Sequence, residues 1–286
     1  NHDLQGFVTR TQQLRANGLP VPQLYDHNIS LGMALLSDHG DYTLLKQVRS
    51  KPYQQLFLYE QAIRLNHRLQ QISIQSKKPA YSTQAADQNI KLCEQWYCEA
   101  LCGKSLENEA KDMMQYTRQS ILKAWQDIPQ TTCHRDFHGD NIMVSQPENS
   151  SDLTCLDYQD ICEGPFVYDL ASLLNDHYTT LHPMLQKHLL HIFFMSSSIV
   201  QQHQISIDKI EHWVKLVSLQ RHLKNLGVFS RLALTQNKWH YLNHIPRMLS
   251  CMRVCAVEDR KMQSLIAHLT KYYTLVYSTT LNKMTN

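Results

Sequence analysis

Between long stretches of helical periodicity, residues 142–158 break the pattern. Two apolar runs, Ile142-Met143-Val144 and Leu153-Thr154-Cys155-Leu156, flank the polar stretch Ser145–Asp152. Runs this short do not make amphipathic helices, and the turn-forming residues between them predict a β-hairpin. The two ends of a hairpin are neighbours in space, so the residues just outside it are brought side by side. Asn141 stands immediately before the first run and Asp157 immediately after the second. A fold that accommodates this chain must therefore set a hairpin into a mainly helical body, with an amide and a carboxylate at its open end.

The remainder reads largely as helix. Tyr53–Ser73 carries apolar residues at 56, 59, 63, 69 and 72, and Leu106–Gln126 repeats the spacing at 106, 110, 113, 117, 121 and 124. Each set forms one helix face, and Pro129 ends the second run. Upstream, Leu4–Asn17 is predicted to be a helix closed by Gly18, the usual residue for a left-handed cap. Pro20 and Pro22 then force extended backbone, followed by short strands at Gln23–His27 and Met33–Leu36 and the turn Ser37-Asp38-His39-Gly40-Asp41. From Asp169 onward helices are expected almost to the C-terminus, with Pro183 and Pro246 near helix starts. The fold class is α+β, and there is no internal repeat.

Composition narrows the function. The best membrane-spanning candidate, Leu189–Met195, falls well short of the roughly 18 residues that cross a membrane, so no membrane partner is expected. No signal peptide is evident. The formal charge is +3 with no basic block, which argues against nucleic acid. The eight cysteines match no zinc spacing. Cys98 with Cys102, and Cys251 with Cys255, are poorly placed on helices for disulfides. They read as small buried hydrophobes in a reduced cytoplasmic protein.

Chemistry concentrates in His134-Arg135-Asp136-Phe137-His138-Gly139-Asp140-Asn141. The pattern H-R-D-x-x-x-x-N is that of a phosphoryl-transfer loop, in which the Asp accepts the proton of an attacking hydroxyl and the Asn binds magnesium. A second carboxylate must hold that metal, and the hairpin supplies Asp157. Hard oxygen ligands suit Mg2+, which takes only one or two protein groups. Two alternatives stand beside this reading: a polar turn with no chemistry, and a zinc or manganese hydrolase cluster of His134, His138, Asp136, Asp140 and Asp157.

These residues resemble the aminoglycoside phosphotransferase-like family, of protein-kinase-like two-lobe fold. Gly164-Pro165-Phe166-Val167-Tyr168-Asp169-Leu170-Ala171 looks like the family segment whose Asp braces the catalytic loop. The resemblance thus implies structural support from Asp169 and His134, catalysis by Asp136, and metal binding by Asn141 and Asp157. Leu35-Leu36-Ser37-Asp38-His39-Gly40-Asp41 resembles the hinge, where backbone at Ser37 and His39 would meet the adenine of ATP or GTP. Nearer still are the bacterial anomeric kinases of N-acetylmuramate and N-acetylglucosamine that serve cell-wall recycling. That likeness rests on Glu94-Gln95-Trp96-Tyr97, Leu156-Asp157-Tyr158-Gln159-Asp160, and the run from Leu219 to Leu232 with Tyr241-Leu242 and Ile245-Pro246-Arg247.

The resemblance implies a remnant of the nucleotide lobe and hinge at 1–41 and a helical catalytic lobe at 42–286. The glycine-rich phosphate loop and its strand Lys should precede Leu4, so the N-terminal β-lobe is expected to be largely missing from this chain; a chain that had lost them would instead be a nucleotide-binding pseudokinase. For the sugar, Arg221, Lys224 and Asn225 share a helix face that could receive a lactyl carboxylate or be a solvated basic surface. Trp96 could stack on the ring or belong to the core, and Asp160 could accept sugar hydroxyls or brace the metal loop. Other acceptors, such as an aminoglycoside, choline or homoserine, remain open from sequence.

Overall fold

The computed structural model describes residues 4–73, 79–144 and 152–284, with side chains through residue 275. Residues 145–151, the greater part of the polar stretch inside the hairpin, lie outside the described residues. The chain folds into two compact, interleaved units. The first comprises Asn1–Ala80, Pro129–Leu174 and Leu181–Ile210; the second comprises Tyr81–Ile128, Asn175–Thr180 and Glu211–Asn286.

In the first unit, helix α1 (Leu4–Ala16) ends where Gly18 takes φ 73°. There Gly18 N–H bonds Arg15 C=O and Leu19 N–H bonds Leu14 C=O, closing the orphan carbonyls of the last turn. Strands β1 (Leu24–Asn28) and β2 (Met33–Leu36) pair antiparallel, from Leu24 opposite Leu36 to Asn28 opposite Met33. Helix α2 (Leu44–Ser50) starts at Thr43, whose hydroxyl accepts from Lys46 N–H at 3.2 Å. Helix α3 (Gln55–Gln70) buries Leu58, Tyr59, Ala62, Ile63, Leu65, Asn66 and Leu69. Leu56 was expected on that face and is instead 41% exposed, because the buried stripe is centred on 58/59, 62 and 65/66.

The hairpin forms as the sequence predicts. Strand β4 (Ile142–Val144) pairs with β5 (Leu153–Cys155), Ile142 lying opposite Cys155. A second antiparallel pair is not visible in the hydrophobic pattern: β3 (Gln130–Cys133) with β6 (Cys162–Pro165). Gln-Thr-Thr-Cys has no apolar alternation, and the Gly and Pro of β6 read as a turn. Cys133 lies opposite Cys162 at the end of this ladder, and His134 follows at once. Helices α6 (Tyr168–Leu174), α7 (Pro183–Ser196) and α8 (Ser198–Gln202) complete the unit.

The second unit is helical. Helix α4 (Thr83–Leu92) runs on as a π-helix, Cys93–Leu101, which no residue pattern announces. Helix α5 (Asn108–Asp127) buries Ala110, Met113, Met114, Thr117, Ile121, Ala124 and Trp125, the face that periodicity predicts. Helix α9 (Ile207–Gln236) enters this unit at Glu211, followed by α10 (Ile245–Cys255) and α11 (Arg260–Met284). Pro183 and Pro246 occupy first-turn positions of their helices. All eight cysteines are free thiols, six of them buried. No described helix is long and apolar enough to cross a membrane.

Candidate functional site

The ladder of β3 and β6 delivers the chain to His134, and the ladder of β4 and β5 takes it away after Asn141. The loop between them is tied at both ends. Asp169, fully buried in the first turn of α6, accepts His134 N–H at 2.7 Å on Oδ2 and Arg135 N–H at 3.0 Å on Oδ1. Asn66 of α3 donates to the same Oδ2 at 3.2 Å. These bonds hold Arg135 at φ 74°, a left-handed conformation that a side-chain-bearing residue rarely adopts.

His134 is buried and turns its ring across the loop. Its Nδ1 accepts Asp136 N–H at 3.3 Å, and its Nε2 meets Leu156 C=O at 2.8 Å. Leu156 N–H in turn bonds Asn141 C=O at 2.8 Å, extending the hairpin ladder by one residue. Asn141 and Asp157 thus leave the hairpin from its open end, as its register requires. Asp157 itself is exposed and left-handed, with φ 57° and ψ 38°. Gln159 donates to its Oδ1. Behind it, Tyr158 is clamped by α1, its hydroxyl 2.9 Å from Thr11 Oγ1 and its ring stacked on Phe7.

Asp136 is the half-exposed member of the group, at 48% side-chain exposure. The Asn141 amide donates to Asp136 C=O at 2.9 Å and approaches its Oδ2 at 3.3 Å. With Nδ2 so engaged, Asn141 Oδ1 is turned the other way. Gly139 lies against α2: a Cβ there would stand 3.1 Å from Leu45 Cβ, and Gly139 C=O accepts Leu45 N–H. Thr43 also donates to Asp140 Oδ1 at 3.1 Å. Sequence reasoning singles out neither Thr43 nor Asn66, since both lie far along the chain from the loop they hold.

The segment that resembles a hinge is joined to the same unit. Ser37 Oγ lies 2.9 Å from His39 Nε2, and His39 Nδ1 lies 3.1 Å from Thr154 Oγ1 of β5. Ser37 N–H is committed to Gln23 C=O at 2.8 Å. Asp160 is exposed on the short 3-10 turn after Asp157.

Trp96, Arg221 and Lys224 belong to the second unit. Trp96 is half-buried in the π-helix, and Lys224 is half-buried on α9. Arg221, at 1% exposure, is not on a solvated basic surface, and Asn225 is buried as well. The zinc cluster does not assemble. Both nitrogens of His134 and of His138 already face hydrogen-bonding groups of the loop, and among the described residues no three His, Cys, Asp or Glu are grouped to hold a metal. Burial, with Asp169 and Asp157 adding, pushes the Cys155 thiol up.

Residues 2–195 match the model of the phosphotransferase enzyme family. The N-acetylmuramate/N-acetylglucosamine kinase of Pseudomonas aeruginosa is 25% identical over 268 residues, 92% of this chain and 76% of that protein. The Neisseria meningitidis kinase of the same name is 29% identical over 82% of this chain and 70% of its own length. Among solved structures, a microcompartment-associated aminopropanol kinase superposes with TM-score 0.60 at 12% identity, covering 94% of this chain and 84% of that one. Plasmodium vivax ethanolamine kinase gives the same TM-score and identity over 89% and 74%. These two likenesses establish the kinase-like fold. With a braced H-R-D-x-x-x-x-N loop and a family match over two-thirds of its length, the chain belongs to the phosphotransferase enzyme family.

Proposed function

We propose that this phosphotransferase moves the γ-phosphoryl group of ATP onto the anomeric hydroxyl of N-acetylmuramate or N-acetylglucosamine, in cytoplasmic cell-wall recycling. The observation that carries this reading is the match, along 82–92% of the chain, to two kinases named for those sugars. Residues 1–41 are taken as the remnant of the nucleotide lobe and 42–286 as the catalytic and substrate lobe. The hinge backbone at Ser37 and His39 would meet the adenine.

Asp136 is assigned as the base. Its half-exposed carboxylate, hung on a loop fixed from behind by Asp169 and His134, supports that role. An anomeric hydroxyl is more acidic than an ordinary alcohol, so an unexceptional carboxylate suffices and positioning supplies most of the rate. The proton passes from the hydroxyl to Asp136 as the new O–P bond forms. Asn141 Oδ1 and the exposed Asp157 carboxylate fit Mg2+, which prefers hard oxygens and few protein ligands. When bound there, the ion would neutralise phosphate charge. Asp160, Trp96, Arg221 and Lys224 are assigned to the sugar. Because Arg221 is buried, a lactyl carboxylate could pair with it only if the sugar is itself enclosed.

A coupled nucleotide-consumption assay tests the reading, with N-acetylmuramate, N-acetylglucosamine, kanamycin, choline and homoserine offered side by side. Turnover is expected with the two acetylated sugars, giving a 1-phosphate. Asp136→Asn should lower kcat by about 10²- to 10⁴-fold while ATP still binds. Turnover of kanamycin with both sugars inert would overturn the substrate. ATP binding with no turnover on any acceptor would favour a pseudokinase.

A further inference from the structure

His138 has no task in that scheme, although its ring is 7% exposed beside a carboxylate that is 48% exposed. Its two nitrogens are directed at different groups. Nδ1 lies 3.3 Å from Asp140 N–H, and Nε2 lies 3.3 Å from Asp136 Oδ2 and also 3.3 Å from Asn141 Nδ2, which points at the same Oδ2. A backbone N–H can only donate, so Nδ1 is the acceptor, and in the neutral ring the proton sits on Nε2. His134 repeats the arrangement four positions earlier: Nδ1 takes Asp136 N–H, and Nε2 gives to Leu156 C=O. In both rings the nitrogen nearer the backbone pins the turn two residues on, and the outer nitrogen reaches across the loop. His134 reaches a backbone carbonyl, which is a structural tie. His138 reaches the carboxylate on which the reaction depends.

Asp136 Oδ2 also lies 3.3 Å from Asn141 Nδ2. Two donors converging on one oxygen fix the rotation of the carboxylate and turn Oδ1 away from both. A carboxylate free to spin would present its oxygens to the acceptor hydroxyl in many orientations, and misplacement of about 1 Å is enough to cost on the order of 10²-fold in rate.

We propose that His138 is a positioning residue for Asp136, its Nε2–H holding Oδ2 so that Oδ1 faces the acceptor hydroxyl. This rests on Asp136 being the base. As the acceptor oxygen bonds to the γ-phosphorus, its proton moves to Oδ1. The bond from phosphorus to the bridging oxygen breaks, and its electron pair leaves with ADP. His138 neither gains nor loses a proton.

The first measurement is independent of turnover. Long-range ¹H–¹⁵N spectra of the histidine rings should show His138 as the Nε2–H tautomer in the wild-type protein; the Nδ1–H tautomer would overturn the proposal. The second is a double-mutant cycle on kcat with ATP and N-acetylglucosamine. His138→Leu should lower kcat by about 10- to 100-fold with the KM for ATP unchanged. His138→Gln, whose amide reaches the Nε2 position, should restore most of the loss. In an Asp136→Asn background His138→Leu should add little. An equal loss in both backgrounds, with thermal stability preserved, would reduce His138 to a general structural role and overturn the proposal. Near-normal turnover of Asp136→Asn alone would instead overturn the base assignment, while the tautomer still reports the contact between His138 and Asp136.

Discussion

A single buried carboxylate decides the shape of the loop from His134 to Asn141. Asp169 receives His134 N–H, Arg135 N–H and Asn66 Nδ2, so both its oxygens are engaged in a site with no exposure. Burying an ionised carboxylate is costly unless such donors surround it, and here two of the three are backbone groups that cannot move without unmaking the loop. Asp169→Asn keeps the volume but turns an NH2 toward at least one backbone N–H, donor against donor. We expect it to lower stability by roughly 1.5–3 kcal/mol, the scale of a hydrogen bond to a charged group, and to lower kcat by releasing Arg135 from its left-handed conformation. Urea unfolding and the sugar-kinase assay check both, and wild-type stability in the variant would show that the bonds are dispensable. Asp169 is legible in the sequence because it lies in the local segment Gly164–Ala171, whose family resemblance marks it. Its partner Asn66 is not, because the two stand 103 positions apart and nothing local to α3 marks one of its polar residues as buried.

The same contrast holds among elements. The pairing of β4 with β5 could be read because the two runs are apolar, close in sequence and separated by a polar stretch, and their register places Asn141 and Asp157 at one end. The pairing of β3 with β6 joins segments about 30 residues apart whose side chains are mostly small or polar, so only tertiary contact selects it. Helix α9 shows what a motif conceals. Gly227 lies inside the stretch that most resembles the amino-sugar kinases, yet periodicity gives a mid-helix glycine no purpose. The structure does: a Cβ at Gly227 would stand 2.3 Å from both the carbonyl carbon and oxygen of Leu92 at the end of α4. That obstacle is helix backbone, which cannot swing aside as a side chain would. Gly227→Ala gains at most about 1 kcal/mol of helix propensity, whereas forcing packed elements apart costs typically 1–3 kcal/mol. Thermal melting should therefore fall by several degrees; an unchanged or raised Tm would mean that α4 and α9 tolerate separation.

At the scale of the molecule, the α+β class was legible from a hairpin set inside a helical chain, and the kinase-like fold from the family resemblance carried by the motif at its mouth. The interleaving of the two units was not, since residues 81–128 and 175–180 join the second unit by packing with segments far along the chain. Composition has a further consequence for the whole protein. Of its 16 histidines, several are interior. His222 is 1% exposed, and burial, reinforced by the adjacent Arg221 and by Lys224, lowers its pKa to about 3. His67 and His244 are lowered in the same direction, again chiefly by burial. A histidine whose folded pKa lies below its unfolded value binds more proton when the chain unfolds, so the folded state loses stability as pH drops below about 6.5. The loss continues until the folded pKa is reached. The Asp87 carboxylate, held down by Arg118, weakens only in the lower window where carboxylates protonate. Between pH 7.5 and 5.5 the histidines therefore dominate, and His222 alone should remove on the order of 1 kcal/mol. Urea unfolding at the two pH values measures the difference. His222→Phe keeps the ring and deletes the titration, so its stability should vary less with pH than the wild type's. Equal pH slopes in the two proteins would mean that His222 protonates without disturbing the fold.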